Sequence, residues 1–324
     1  MERYNSIQRA ISDKSPEIGQ RKLLKALFRR EKTPLQRQHC GRPISDSVLA
    51  IRLRALVSPI FIQMSKLAIP YKVIRQNSYQ MIPDKPIIFA ANHSCFADIP
   101  VSLRAIKRHC YVLAGKQVLH LLDWMFFLAN GTIWVDRKDR KDMEIVKCAL
   151  EKYLRKGQSI LWYPEGTWNI TDNLPVLPIK WGIVNVAKNC DAQIIPMNLC
   201  YDRERKTVSV KFGDPIWGEQ LQDRAKATTL LRDSMATLWW NQLSTQVAIH
   251  RSEDALKQMQ QQKYEILMEY PPLDISYEQS VVYSPKTVVN KADVFAHLDY
   301  IVPSPDNAFL FRKPDRYFPA EEQQ

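Results

Sequence analysis

Between residues 81 and 212 short apolar runs alternate with longer stretches whose apolar residues recur every three or four positions. The first pattern predicts strands and the second helices. Strands are expected over 86–91, 110–114, 132–135, 159–163, 193–199 and 208–212. Helices are expected over 99–108, 116–128, 141–155 and 179–189, with another over 220–246. Within 141–155, Val146, Leu150, Tyr153 and Leu154 share one face and Gly157 follows as a stop. Strands alternating with helices predict an α/β fold, a central mixed sheet flanked by helices. Ligands of such sheets gather beyond the carboxyl ends of the strands.

The pattern changes ahead of residue 77. Residues 47–70 are the most apolar stretch, interrupted by Arg52, Arg54, Pro59, Gln63 and Lys66. The roughly 18 uninterrupted apolar residues of a spanning helix are lacking. The stretch therefore predicts a segment lying in a membrane interface, or a short re-entrant hairpin kinked at Pro59. A buried core helix is the alternative. Residues 1–46 form a basic arm, in which 20–32 places Leu23, Leu24, Ala26, Leu27 and Phe28 among six Lys/Arg. That is a basic amphipathic helix, suited to an anionic bilayer or to packing on its own domain. The expected organisation is the arm (1–46), an amphipathic membrane-associating segment (47–76), a catalytic domain (77–250) and an extension of unassigned role (251–324).

Charge sharpens this picture. The 324 residues carry a net charge of +12, yet residues 271–324 are −3, leaving +15 for the rest. A basic front and middle suits an anionic partner. No zinc-finger, helix-turn-helix or ribonucleoprotein signature accompanies the charge, which argues against nucleic acid. The six cysteines form no Cys-x-x-Cys pair, so neither a metal cluster nor a redox motif is expected. The polar amino-terminal stretch lacks the apolar core of a secretory signal. A reduced, cytoplasmic protein with free thiols follows.

Three stretches carry candidate chemistry. His93 and Asp98 follow the strand 86–91. On a helix they would not share a face, so they meet only if the chain turns. Asp98, ahead of Ile99 and Pro100, is expected to N-cap a helix and to hold one imidazole nitrogen, leaving the other as a general base. Glu165, Gly166 and Thr167 follow the strand 159–163. Glycine admits close backbone approach, Thr167 can donate to oxygen and Glu165 can accept from a hydroxyl. Arg137 ends the strand 132–135, with a planar fork suited to phosphate.

Together, Asn92–Asp98 (NH-x4-D), Gly131–Arg137 (G-x-I-x-V-D-R), Tyr163–Thr167 (Y-P-E-G-T) and Ile194–Met197 resemble, in order and spacing, the four blocks of the glycerolipid acyltransferases, the 1-acylglycerol-3-phosphate (lysophospholipid) acyltransferase family. The resemblance covers residues 77–215. It implies that His93 takes the proton from an acceptor hydroxyl while Asp98 orients the ring. The hydroxyl attacks an acyl thioester directly, without an acyl-enzyme and without a cofactor. The donor is then acyl-CoA or acyl-carrier protein. Arg137 would hold the acceptor's phosphate, Glu165 and Gly166 its glycerol, and Lys116 and Lys180 match basic residues of the family. A place at the inner face of the cell membrane, peripheral or monotopic, also follows. One departure stands out: many members continue Glu-Gly-Thr with Arg, whereas Trp168 stands here. The rival readings are a non-catalytic basic protein binding lipid at a membrane surface and a cysteine hydrolase built on Cys95. No flanking pattern of a cysteine nucleophile supports the second.

Overall fold

The computed structural model describes residues 47–115, 121–137, 139–169 and 175–245, with short fragments between 252 and 262. The expected helix at 20–32, Lys116 and the extension beyond 262 lie outside the described residues.

Seven strands make one sheet: β1 (Lys72–Arg75), β2 (Ile87–Ala91), β3 (Cys110–Gly115), β4 (Thr132–Val135), β5 (Ser159–Trp162), β6 (Gln193–Asp202) and β7 (Thr207–Phe212). Their order is β1-β7-β6-β2-β5-β3-β4. Neighbours are parallel except β6 and β7, which form an antiparallel pair, so the sheet is mixed. The six strands expected from the sequence are present. β1 was not foreseen, because the order polar-apolar-apolar-polar in its four residues, KVIR, does not alternate as a strand would.

The described residues hold six helices: α1 (Val48–Ala68), α2 (Asp98–Ile106), α3 (Leu121–Asn130), α4 (Arg140–Arg155), α5 (Gly182–Asn189) and α6 (Arg224–Leu243). Central β2 shows why two layers are needed. Its five residues are all buried, as in a strand covered on both faces. Ile87, Phe89 and Ala91 join one core with Val101, Leu103 and Phe127, while Ile88 and Ala90 join another with Leu150, Ile183 and Leu231.

Three of the departures from expectation have a visible local cause. The helix expected from 179 begins at Gly182, because the backbone N–H of Lys180 turns back to Pro164 O at 3.3 Å. The helix expected over 220–246 is a short 3-10 turn (Gly218–Leu221) and then α6, which Asp223 caps through the N–H groups of Ala225 and Lys226. Asp98 is the first residue of α2, not its N-cap. Its carboxylate turns backward to the preceding loop.

The stretch 47–70 folds as the single helix α1 with Pro59 inside it, so the kinked hairpin is not formed. Nor is it a core helix. Leu49, Leu53, Leu56, Ile60, Met64 and Leu67 make an exposed stripe at helical spacing, with Leu56 72% and Leu67 87% exposed. The buried face is mixed, with Arg54 and Ser58 beside Ile62, while Arg52, Gln63 and Lys66 are exposed. Ser58 donates to Asn130 Oδ1 at 2.8 Å, and Asn130 Nδ2 donates to Cys110 O at 2.9 Å. This buried chain of hydrogen bonds pins α1 to the end of α3 and to the start of β3. The helix is long and apolar enough to cross a membrane by length and composition.

Candidate active site

The chain leaves β2, goes to β3 and β4, returns to β5 beside β2, and then crosses to β6 on the other side. The carboxyl ends of β2 and β5 flank this reversal, where open α/β sheets bind ligands. His93 follows β2, Arg137 follows β4, and 163–168 follow β5.

Asn92 continues β2 by side chain: Leu199 N–H donates to its Oδ1 at 2.7 Å and its Nδ2 donates to Leu199 O at 3.1 Å. With the strand exit tied down, the next turn brings His93 Nδ1 to Asp98 Oδ2 at 2.8 Å. The same oxygen accepts the N–H groups of Ser94 (2.5 Å) and Cys95 (2.8 Å), and Asp98 Oδ1 accepts the Tyr201 hydroxyl at 2.6 Å. Asp98 is fully buried. Burial would raise its pKa, but the hydrogen bond and charge of His93, with Tyr201 and the Cys95 N–H, outweigh that and hold it below the ordinary value.

The imidazole stacks on Tyr163, ring centroids 4.2 Å apart, and its Nε2 accepts the Trp168 indole N–H at 3.0 Å. An indole only donates, so Nε2 carries the lone pair. Nδ1, facing a carboxylate, carries the hydrogen. Two independent partners therefore specify the tautomer a general base requires.

Glu165 is buried behind this arrangement. Its carboxylate accepts the backbone N–H groups of His93 (3.1 Å) and Leu177 (2.8 Å). Burial pushes its pKa up to about 8 despite those donors. It braces the two loops and does not line the cavity, unlike the hydroxyl acceptor expected from the sequence. Gly166 adopts φ +71°, and a Cβ there would lie 3.7 Å from Lys180 Nζ. Its carbonyl accepts from Arg137 Nη1.

A cavity of ≈ 610 Å³ is bounded by His93, Arg137, Gly166, Thr167, Trp168 and Lys180. Its volume falls within the usual range for ligand sites. Arg140 and Lys147 of α4 add two further cations to the wall, against one carboxylate, Glu144. The rest is largely apolar, including Leu113, Val135, Met143 and Val146. The Thr167 hydroxyl is buried with no hydrogen-bond partner among the described residues. Lys116 lies outside them. Cys95 is buried and donates to Asp98, and burial first, then the Asp98 charge, raises its thiol well above the ordinary value. A thiolate nucleophile is disfavoured there. No group of three or more metal-ligating side chains occurs among the described residues.

Sequence reasoning named Asn92 and Tyr163 only as members of their blocks, without a role, and missed Tyr201. Tyr201 reaches Asp98 from 103 positions away, a separation no local pattern could reveal. Trp168 was visible only as a departure from a pattern.

Residues 72–200 match the family model described as Acyltransferase. A 1-acyl-sn-glycerol-3-phosphate acyltransferase of Saccharomyces cerevisiae is 30% identical over 151 residues, 45% of this chain and 48% of that protein. A lyso-ornithine lipid O-acyltransferase of Rhodobacter capsulatus is 35% identical over 94 residues, 28% and 31% of the two chains. The chain thus spans about half the length, or less, of these curated relatives. A solved structure, the LPA acyltransferase PlsC of Thermotoga maritima, superposes at a TM-score of 0.47 with 17% identity over 60% of this chain and 83% of that one, a likeness too loose to carry an argument.

Proposed function

Taking residues 72–200 as an acyltransferase-family domain, we propose that this protein transfers a fatty acyl group from a thioester to the hydroxyl of a lysophospholipid or glycerol-phosphate acceptor, in phospholipid synthesis. The observation that carries the reading is His93, held at Nδ1 by a buried carboxylate 2.8 Å away while its ring lines a cation-walled cavity.

In this reading the acceptor's oxygen attacks the thioester carbonyl as its proton passes to His93 Nε2. The imidazolium is stabilised by Asp98, whose charge is retained in a buried site. The tetrahedral adduct collapses, the C–S bond breaks, and the proton returns to the leaving sulfur. No acyl-enzyme is needed. Positioned base catalysis of this kind contributes about 10²–10⁴-fold. Thr167 is the donor we assign to a substrate oxygen, because a buried hydroxyl lacking a partner is worth about 1–3 kcal/mol once satisfied. Arg137 and Lys180 recognise the acceptor's anionic head group, with Arg140 and Lys147 attracting an anionic donor such as acyl-CoA or acyl-carrier protein.

The exposed stripe of α1 supports a place on a phospholipid surface. Six large apolar side chains on one exposed face are not what a helix facing water presents. The net charge of +12 favours an anionic, cytoplasmic leaflet.

The test offers purified protein radiolabelled acyl-CoA or acyl-carrier protein with lysophosphatidic acid, other lysophospholipids, lyso-ornithine lipid or glycerol 3-phosphate. Labelled acylated product is expected from at least one, diacyl from a lysolipid or monoacyl from glycerol 3-phosphate, and His93→Ala should abolish it while vesicle binding persists. No product from any pair, with the protein folded, ends the proposal.

A further inference from the structure

His93 lines the cavity, but its Nε2 is not vacant. The lone pair that must receive the acceptor's proton is already bonded to Trp168, whose indole N–H points at Nε2 from 3.0 Å. The two rings meet edge to face, centroids 5.9 Å apart at 78°. Trp168 is itself 6% exposed, so the bond is sheltered from water. The backbone on either side is laced to the same loop: Asn169 N–H donates to His93 O at 2.6 Å, and His93 N–H to Glu165. The indole is thus delivered to the base by a fixed main chain.

We propose that Trp168 is a positioning residue that caps the catalytic base in the resting enzyme and gives way to the acceptor hydroxyl. The proposal rests on the acyl-transfer reading. Its physical content is exclusion of water. An uncapped Nε2 would draw a proton from water as readily as from an alcohol. Water would then add to the thioester carbonyl, the C–S bond would break, and free fatty acid and thiol would leave in place of the lipid product. An indole meets the donor need of Nε2 while offering no hydrogen-bond acceptor and no oxygen that could attack. A guanidinium at this position would bring charge as well, which the indole does not. The acceptor recovers the cost of displacing the cap, because its hydroxyl supplies the same hydrogen bond to Nε2.

The test is Trp168→Phe, which keeps an aromatic ring and removes the N–H. A net neutral hydrogen bond corresponds to about a three- to ten-fold effect. With no substrate present, diethyl pyrocarbonate should modify His93 faster by that factor, read by mass spectrometry of the His93 peptide. Acyl-CoA hydrolysis without acceptor should rise by a similar factor. KM for lysophosphatidic acid should fall while kcat does not increase. A role in packing alone would lower kcat and thermal stability without raising hydrolysis. Unchanged hydrolysis together with an unchanged modification rate overturns the proposal. Should the variant fail to fold, unsubstituted protein answers the question by ¹⁵N NMR. The Trp168 indole cross-peak should move when lysophosphatidic acid is added without acyl donor, and a stationary peak overturns the proposal. The modification rate needs no turnover. A wild-type protein that transfers no acyl group would sink the functional reading while the cap could still be read.

Discussion

Asp98→Asn separates the charge of the buried carboxylate from its geometry. Asp98 Oδ2 accepts three N–H groups, from His93 Nδ1, Ser94 and Cys95, whereas Oδ1 faces the Tyr201 hydroxyl. An asparagine has only one arrangement that avoids donor facing donor. Its carbonyl must take the three-donor side, and its NH₂ must meet Tyr201, Ser94 Oγ and Cys95 Sγ, whose hydrogens can all rotate away so that these atoms accept. The His93 tautomer is preserved and one negative charge disappears. Opposite charges about 4 Å apart at an effective dielectric of about 20 are worth about 4 kcal/mol. Losing that against a developing imidazolium lowers kcat by about 10³-fold. Initial rates at saturating donor and acceptor, paired with thermal unfolding, provide the assay. The expected outcome is a thousand-fold lower kcat with a Tm near that of wild type. The depressed carboxyl of Asp98 adds stability above its unfolded pKa that is lost as pH falls through the folded value, so the variant should also lose that acid-side slope. A kcat within ten-fold of wild type in a folded protein would refute the electrostatic reasoning. A collapse of Tm would instead make the carboxylate a structural brace.

Glu165 behaves oppositely with pH. Held at about 8 by burial, against an ordinary 4.5, it keeps in the folded state a proton that the unfolded chain releases, so stability falls as pH rises through that window. Glu165→Gln should flatten the decline of Tm between pH 5 and 8 and cost about 1–3 kcal/mol at pH 6, since an amide NH₂ must face a backbone N–H; an unchanged slope contradicts the assignment. Gly131→Ala puts a Cβ 2.8 Å from the Tyr111 ring at φ +86°, and urea denaturation should register a loss of about 1–3 kcal/mol. Leu56→Glu combined with Ile60→Glu interrupts the exposed stripe of α1, so flotation with anionic vesicles should drop sharply at unaltered Tm; equal flotation would remove α1 from the membrane contact.

The parallel strands were legible because β2, buried on both faces, must be apolar throughout, and the helices between strands declare themselves by period. His93 and Asp98 were legible as a pair, since a strand exit followed by a helix start leaves few ways to use both. The contact of Asp98 with the imidazole was read correctly, but its N-cap role was not. N-capping is local chemistry, and a residue of that type ahead of Ile-Pro fits it, but the loop's own N–H groups compete for the same oxygens and win. Glu165 looked like a substrate contact for a similar reason. Its neighbours in sequence gave no hint that two backbone donors from separate loops would enclose it.

What the chain's order of residues determined by itself is local: which segments of the domain are strands or helices, which residue types stand at strand ends, and that an apolar stretch precedes the domain. Periodicity and turn chemistry act over a few residues, so they can be read from a few residues. The tertiary structure alone decided which face of α1 is exposed, that Tyr201 braces Asp98, and that Trp168 rather than solvent meets His93. Those outcomes depend on contacts between segments up to about a hundred residues apart, where packing and burial, not local propensity, set which donor finds which acceptor.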